Sequence, residues 1–377
     1  MRYVVFIGIL FIIGQSTADA WGYNTHKFVN KNAVKHLPAS MYTLSAQAGF
    51  LEMHAPDPDS RGGLRHLDTN LYGEYWRHFL DIDDYPNFKN LSPNLFALIE
   101  LYGRDVVRKN GTAWWATVWV MDSLTEQLKR GDSLKAYQTA ADLGHYVADM
   151  HQPLHATVNF NGYQTGNTGI HSRYESTMMN TYLSTISVIK DSVEYIQDPM
   201  SYILSYILTS NSYADSVIAA DRYAAPPSGY NDTGTLPVDY YAKLWEKSQG
   251  YTKTQIQRAT NALANLWYTA YVNAGLLNQT TVRKDPLQSP SAFHLQQNFP
   301  NPFNPATTIE FDLPLSVHTT LEIYSVDGKL VATLVNSPLG AGSYSAEWDA
   351  HHAPSGLYFY RLTAGNYLAT KKLVIVK

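Results

Sequence analysis

The stretch His145-Tyr146-Val147-Ala148-Asp149-Met150-His151-Gln152-Pro153-Leu154-His155 decides how the chain is read. It closes an alanine-rich segment opened by Asp132-Ser133-Leu134, and the pattern predicts one long helix running to Gln152. On that helix His145 and Asp149 stand about 40° apart and one turn up, so both can grip one ion. Pro153 ends the helix and turns the chain, which lets His155 double back toward the same place. His151 lies about 240° round from His145 and points elsewhere.

Working outward, His171 and Glu175 repeat the four-residue spacing at the start of a second helical segment, expected over roughly 175–220. Between the two pairs, Asn159 to Gly169 holds three glycines and three asparagines, a loop composition. Upstream, Ala55-Pro56-Asp57-Pro58-Asp59 is a rigid acidic turn, and Glu74 to Asp81 carries His78 among aromatics. A third helical segment, Thr252 to Asn273, stops before Gly275.

The composition narrows the chemistry. The 377 residues include 28 Lys+Arg, 32 Asp+Glu, 13 His and no cysteine. Disulfide scaffolds, iron–sulfur proteins and thiolate zinc sites are therefore excluded, and so is wholesale disorder, given 45% hydrophobic residues. A net charge of −4 disfavours nucleic-acid binding by bulk charge. Nine histidines fall between His26 and His171 and four in the tail. Without cysteine, histidines interleaved with carboxylates are the remaining route to a tight zinc site.

Both ends carry addresses. Residues 1–20 have a basic start, an apolar run and Ala18-Asp19-Ala20, the pattern of a secretory signal peptide. Cleavage there would leave Trp21 with a free amine, and that amine, its carbonyl and His26 could chelate a metal. Residues 21–275 read as one helical domain and 276–292 as a linker. From 293 to 377 apolar and polar residues alternate between turn signals such as Asp327-Gly328, the mark of a small all-β immunoglobulin-like sandwich.

Within that tail, Asn298-Phe299-Pro300-Asn301-Pro302-Phe303-Asn304-Pro305, Ser355-Gly356-Leu357-Tyr358-Phe359-Tyr360 and the Lys371-Lys372 run resemble the type IX secretion sorting domain. The resemblance implies a Gram-negative host and passage through the periplasm to the cell surface or medium, with the type IX machinery as partner. The N-terminal order is a terminal Trp, then His, Pro-Asp, His-Phe, His-x3-Asp-x5-His and His-x3-Glu. It resembles the secreted trinuclear-zinc phosphodiesterases, which comprise the zinc-dependent phospholipases C and the single-strand-specific nucleases. That resemblance implies a mostly α-helical catalytic domain and three zinc ions. One would be held by Asp57, His78, His145 and Asp149, a second by His155, His171 and Glu175. The third would take Trp21, His26 and a shared oxygen of Asp149. It further implies hydrolysis by a zinc-activated water, with Asp57 and Asp149 as catalytic residues and Phe79 and Asp81 contacting substrate.

The two branches of the family share votes here. Glu175 favours the phospholipase side, where the nucleases generally carry Asp. Gln152-Pro153-Leu154-His155 and the Trp21-Gly22 start look like the nucleases. Where choline-recognising phospholipases place an acid and an aromatic, this chain has Asn24 and Pro58. The reading is phospholipase C-like, with a single-strand nuclease as alternative and a zinc-stabilised surface binding protein as the non-enzyme alternative.

Overall fold

In the computed structural model, residues 22–61, 69–225, 236–277, 282–285, 290–350 and 353–377 are described. The expected signal peptide and Trp21 lie outside them. The chain is a mostly α-helical part followed by an antiparallel β-sandwich, each with its own apolar core.

The alanine-rich segment is the helix Ser133–Asp149, ending at Asp149 rather than Gln152. Its buried face carries Ala136, Ala140, Gly144 and Ala148, a ridge of small residues at four-residue spacing. Small side chains let neighbouring helices close in. A Cβ on Gly144 would collide with the Asn30 side chain of the helix Tyr23–Ala33. Asn30 in turn donates to the carbonyls of Leu51 (3.1 Å) and Ala141 (3.0 Å). On another side, the buried indole of Trp267 donates to the Ala140 carbonyl at 3.0 Å, pinning the helix Tyr240–Asn273 to the same ridge. This crossing carries His26 up against His145, with ring centroids 3.8 Å apart.

Two expectations need correction. The segment expected to be helical over roughly 175–220 is broken. A π-turn Arg173–Met178 and short helical turns give way to an irregular stretch over 186–198, before the helices Pro199–Asn211 and Ala214–Ala224. Much of the backbone of that stretch bonds to side chains of Tyr240–Asn273, and Asp191 N–H donates to His36 Nδ1 at 2.9 Å. Ile189 N–H donates to Gln257 (2.8 Å), Glu194 N–H to Asn265 (3.0 Å) and Ile196 N–H to Thr269 (2.9 Å), while Asn261 donates to the Ser192 carbonyl (3.4 Å). These four partners recur every fourth residue along one helix face. The same helix begins at Tyr240, well before Thr252. It ends as expected, with Gly275 at φ +74° and its N–H on the Val272 carbonyl at 2.9 Å.

The sandwich has sheets in the order β1-β6-β3-β2 and β5-β4-β7-β8. Their strands are β1 Val282–Asp285, β2 His294–Leu295, β3 Ala306–Leu313, β4 Val317–Ser325, β5 Leu330–Leu339, β6 Gly342–Asp349, β7 Gly356–Ala364 and β8 Tyr367–Ile375. Strand β1 falls inside the expected linker and pairs with β6; with one apolar residue in four it carries no alternation to read. Elsewhere the period of two holds. Ile309, Phe311 and Leu313 of β3 face Tyr358, Tyr360 and Leu362 of β7 within one core. The Asn298–Pro305 stretch stitches the last strand down: Phe303 donates to Val374 (3.0 Å) and accepts from Val376 (3.1 Å). Among the described residues no helix is long and apolar enough to cross a membrane.

Candidate metal centre

Asp149 is the hub of the site. It is the last residue of its helix and has no solvent exposure. Its Oδ2 lies 3.1 Å from His78 Nδ1 and 3.3 Å from His145 Nε2. Its Oδ1 faces another way, 3.4 Å from His26 Nε2 and 3.7 Å from His155 Nδ1. One carboxylate thus serves two sides of a buried histidine cluster.

Three groups of donor atoms form around it: His26, His145 and Asp149; Asp59, His78 and His145; and His155, His171 and Glu175. In the second, His145 Nε2 and His78 Nδ1 are 2.9 Å apart, and each is 3.6 Å from Asp59 Oδ1. In the third, His155 Nε2 is 3.2 Å from His171 Nε2 and 3.3 Å from Glu175 Oε2, and His171 Nε2 is 3.1 Å from Glu175 Oε1.

Backbone carbonyls fix how the rings present themselves. His145 Nδ1 lies 2.9 Å from the Ala55 carbonyl, His155 Nδ1 2.7 Å from that of His78, and His171 Nδ1 3.2 Å from that of Phe160. A carbonyl only accepts, so each Nδ1 donates and Nε2 is the nitrogen that each ring turns inward. The Nε2 atoms of His155 and His171 then face one another and the Glu175 carboxylate, an arrangement that a shared cation suits. A second bond ties the His78 and His155 segments, since Leu80 N–H donates to the His155 carbonyl at 2.9 Å. Gln152 caps the turn Pro153–Ala156 and donates to Glu175 Oε2 at 3.0 Å, orienting that carboxylate.

The charges respond accordingly. Burial lowers the His145 pKa, against the raising effect of Asp59. Burial would raise Glu175, yet the His171 and His155 rings hold it down at about 2. His171 is raised, because Glu175 outweighs burial. His151, outside the groups as expected, stacks on Tyr206 and is pushed down by burial to about 4.

The acid expected at Asp57 is Asp59 in these groups. Asp57 instead meets His54 Nδ1 (2.8 Å) and accepts from Gln138 (3.1 Å), with 41% of its side chain exposed. Both sit on the short helix Asp57–Arg61, where residues two apart project about 200° from each other, so only one of them can face the histidines. Sequence gave both the same Pro-Asp context. It also missed Glu74, which accepts from the Tyr146 hydroxyl and stands 3.7 Å from His78 Nε2, and it missed Gln152 as a partner of Glu175.

Phe79 and Asp81 join none of the donor groups. Phe79 is half-buried against Tyr75 and Trp76. Asp81 is buried, and burial followed by Asp83 and Asp84 pushes its carboxyl up to about 8. A carboxyl raised in the folded state stabilises the fold while neutral and loses that contribution as pH climbs from about 4 to about 8. Asp81→Asn is therefore expected to raise the melting temperature at pH 9, by the equivalent of a few kcal/mol at about 1.4 kcal/mol per pK unit. At pH 3, below the unfolded value, it should change little; equal melting of both proteins at pH 9 would contradict the assignment.

Comparison with known proteins places the tail. Residues 297–376 match the family model of the secretion system C-terminal sorting domain. No curated protein matches the chain. Among solved structures it is similar to Clostridium perfringens alpha-toxin isolated from avian strain SWCP, at 12% identity and TM-score 0.43, over 96% of this chain and 100% of that one. It is also similar to the alpha toxin from Clostridium absonum, at 12% identity and TM-score 0.37, over 96% and 99%. Similarity this low leaves the chemistry to be judged on the donor geometry alone. Residues 297–376 are a secretion system C-terminal sorting domain, which points to the type IX machinery and addresses the chain to secretion or the cell surface.

Proposed function

We propose that the helical domain, 21–275, is a zinc-dependent phosphodiesterase of phospholipase C type. The observation that carries this reading is donor spacing. Nitrogen and oxygen atoms at about 2.0–2.1 Å from a tetrahedral zinc are separated by about 3.3 Å. The 3.2 Å between His155 Nε2 and His171 Nε2 matches that edge, Glu175 sets Oε2 3.3 Å from His155 and Oε1 3.1 Å from His171, and nitrogen with oxygen donors suits zinc.

His155 Nε2, His171 Nε2 and Glu175 would hold one ion. His78 Nδ1, His145 Nε2, Asp59 and Asp149 Oδ2 would hold another. His145 has its Nδ1 committed to Ala55, so its one free nitrogen serves a single ion. His26 and Asp149 Oδ1 then need further donors, which the amine and carbonyl of Trp21 would provide. Gly22 donates to the Glu175 carbonyl at 3.2 Å, so the chain enters the domain beside these groups. Zinc there would supply Lewis acidity and lower the pKa of water from about 15.7 to about 7. The three carboxylates, Asp59, Asp149 and Glu175, are too few to neutralise three dications, so the centre favours an anionic diester.

The terminal amine is testable by itself. Retaining Ala20 ahead of Trp21 is expected to remove one zinc equivalent by elemental analysis; equal zinc in both proteins would show that the amine is not a ligand.

A single-strand nuclease on the same site is the second reading. It is favoured by Phe160, which is 41% exposed, meets His171 edge-on at 5.8 Å and neighbours the exposed Tyr163; such rings stack bases. The zinc-loaded mature chain should be offered phosphatidylcholine, phosphatidylethanolamine and single-stranded DNA side by side. Release of phosphorylated head group is expected. Product from DNA alone would transfer the assignment to the nuclease, and zinc binding with no product from any of them would leave a zinc-stabilised binding protein.

A further inference from the structure

Asp221 lies on the helix Ala214–Ala224, has no solvent exposure and belongs to none of the donor groups. It grips the two elements that orient His171. The first is the loop after Asn159: Asn167 donates to Asp221 Oδ2 at 2.8 Å and holds the loop closed through its N–H on the Gly162 carbonyl at 2.9 Å. That loop presents the Phe160 carbonyl that receives His171 Nδ1. The second is the ligand turn itself. Arg173 stands two residues from both His171 and Glu175, roughly opposite them round the turn, and its Nη2 reaches Asp221 Oδ1 and Oδ2 at 3.2 and 3.1 Å. The same guanidinium donates to the Thr168 and Asn167 carbonyls at 2.7 and 3.1 Å. The Tyr240 hydroxyl also donates to Asp221.

We propose that Asp221, acting through Arg173 and Asn167, is the positioning residue of the His155–His171–Glu175 group. It fixes the rotation of the turn and the height of the loop together, so that both nitrogens and the carboxylate stay within one ion's reach. The proposal rests on the metal reading of that group. Gly169 packs on the same guanidinium: it sits at φ +86°, and a Cβ there would come within 2.7 Å of Arg173 Nη1.

The test uses the mature chain carrying Asp221→Asn, the double change Arg173→Met with Asp221→Leu, or Gly169→Ala. The double change leaves neither charge of the pair buried alone; the glycine change keeps every charge. Zinc affinity is read by competition with a chromogenic chelator, and melting is measured in excess EDTA. One class of zinc equivalent is expected to weaken about 10- to 100-fold in all three, with the remaining classes within about twofold. Wild-type affinity in any variant that folds overturns the proposal. So does equal weakening of every class in step with lower melting in EDTA, which would make Asp221 a stabiliser of the fold only. Wild-type protein that binds no zinc would defeat the metal reading instead, a separate outcome.

Discussion

Asp149→Asn is expected to empty two donor groups at once and to take hydrolysis of bis-p-nitrophenyl phosphate to background. The reason is the division of labour between its oxygens, Oδ2 toward His78 and His145 and Oδ1 toward His26. An amide keeps the shape but supplies one weakly donating oxygen and no charge. The loss should exceed the about 10- to 100-fold typical when an outer partner of a ligand is changed. Folding should survive, because a carboxylate with no solvent exposure is costly to bury when no cation accompanies it. Melting in excess EDTA is therefore expected to stay level or rise, while the stabilisation that zinc gives the wild type largely disappears. Full-strength hydrolysis by this variant would contradict the mechanism, and collapse in EDTA would show that Asp149 is structural.

The second large effect separates two acids two residues apart. Asp59→Asn is expected to cost at least about tenfold in affinity for one zinc equivalent, because of the two it is Asp59 that joins Asp149 in facing His78 and His145, at 3.6 Å from each. Asp57→Asn should leave zinc content unchanged, since that side chain is 41% exposed and bonded to His54 and Gln138. Elemental analysis of both variants after dialysis decides the matter. Loss of zinc in Asp57→Asn with retention in Asp59→Asn would reverse the placement and restore Asp57 as the ligand.

The contrast shows what was legible before the fold was known. His145 with Asp149 and His171 with Glu175 could be read because a spacing of four on a helix puts two side chains on one face whatever surrounds them. Asp57 and Asp59 could not be told apart, because the rotation of a five-residue helix is set by what it packs against. The bend over 186–198 was hidden for a similar reason. Its backbone partners include Gln257, Asn261, Asn265 and Thr269, roughly seventy residues away, and nothing local announces them. The tail was plainer, since alternation every second residue through Ile309, Phe311 and Leu313 signals a half-buried strand by itself. Strand β1, Val282–Asp285, has no such alternation and is defined by pairing with β6 alone.

Crystals of the mature, zinc-grown protein, measured on both sides of the zinc absorption edge, test the proposed zinc reading of the donor groups. Anomalous peaks are expected in three places: between His155, His171 and Glu175; between Asp59, His78, His145 and Asp149; and beside His26 and the first residue of the mature chain. Absence of a peak between His155, His171 and Glu175, with zinc bound elsewhere or not at all, would contradict that reading.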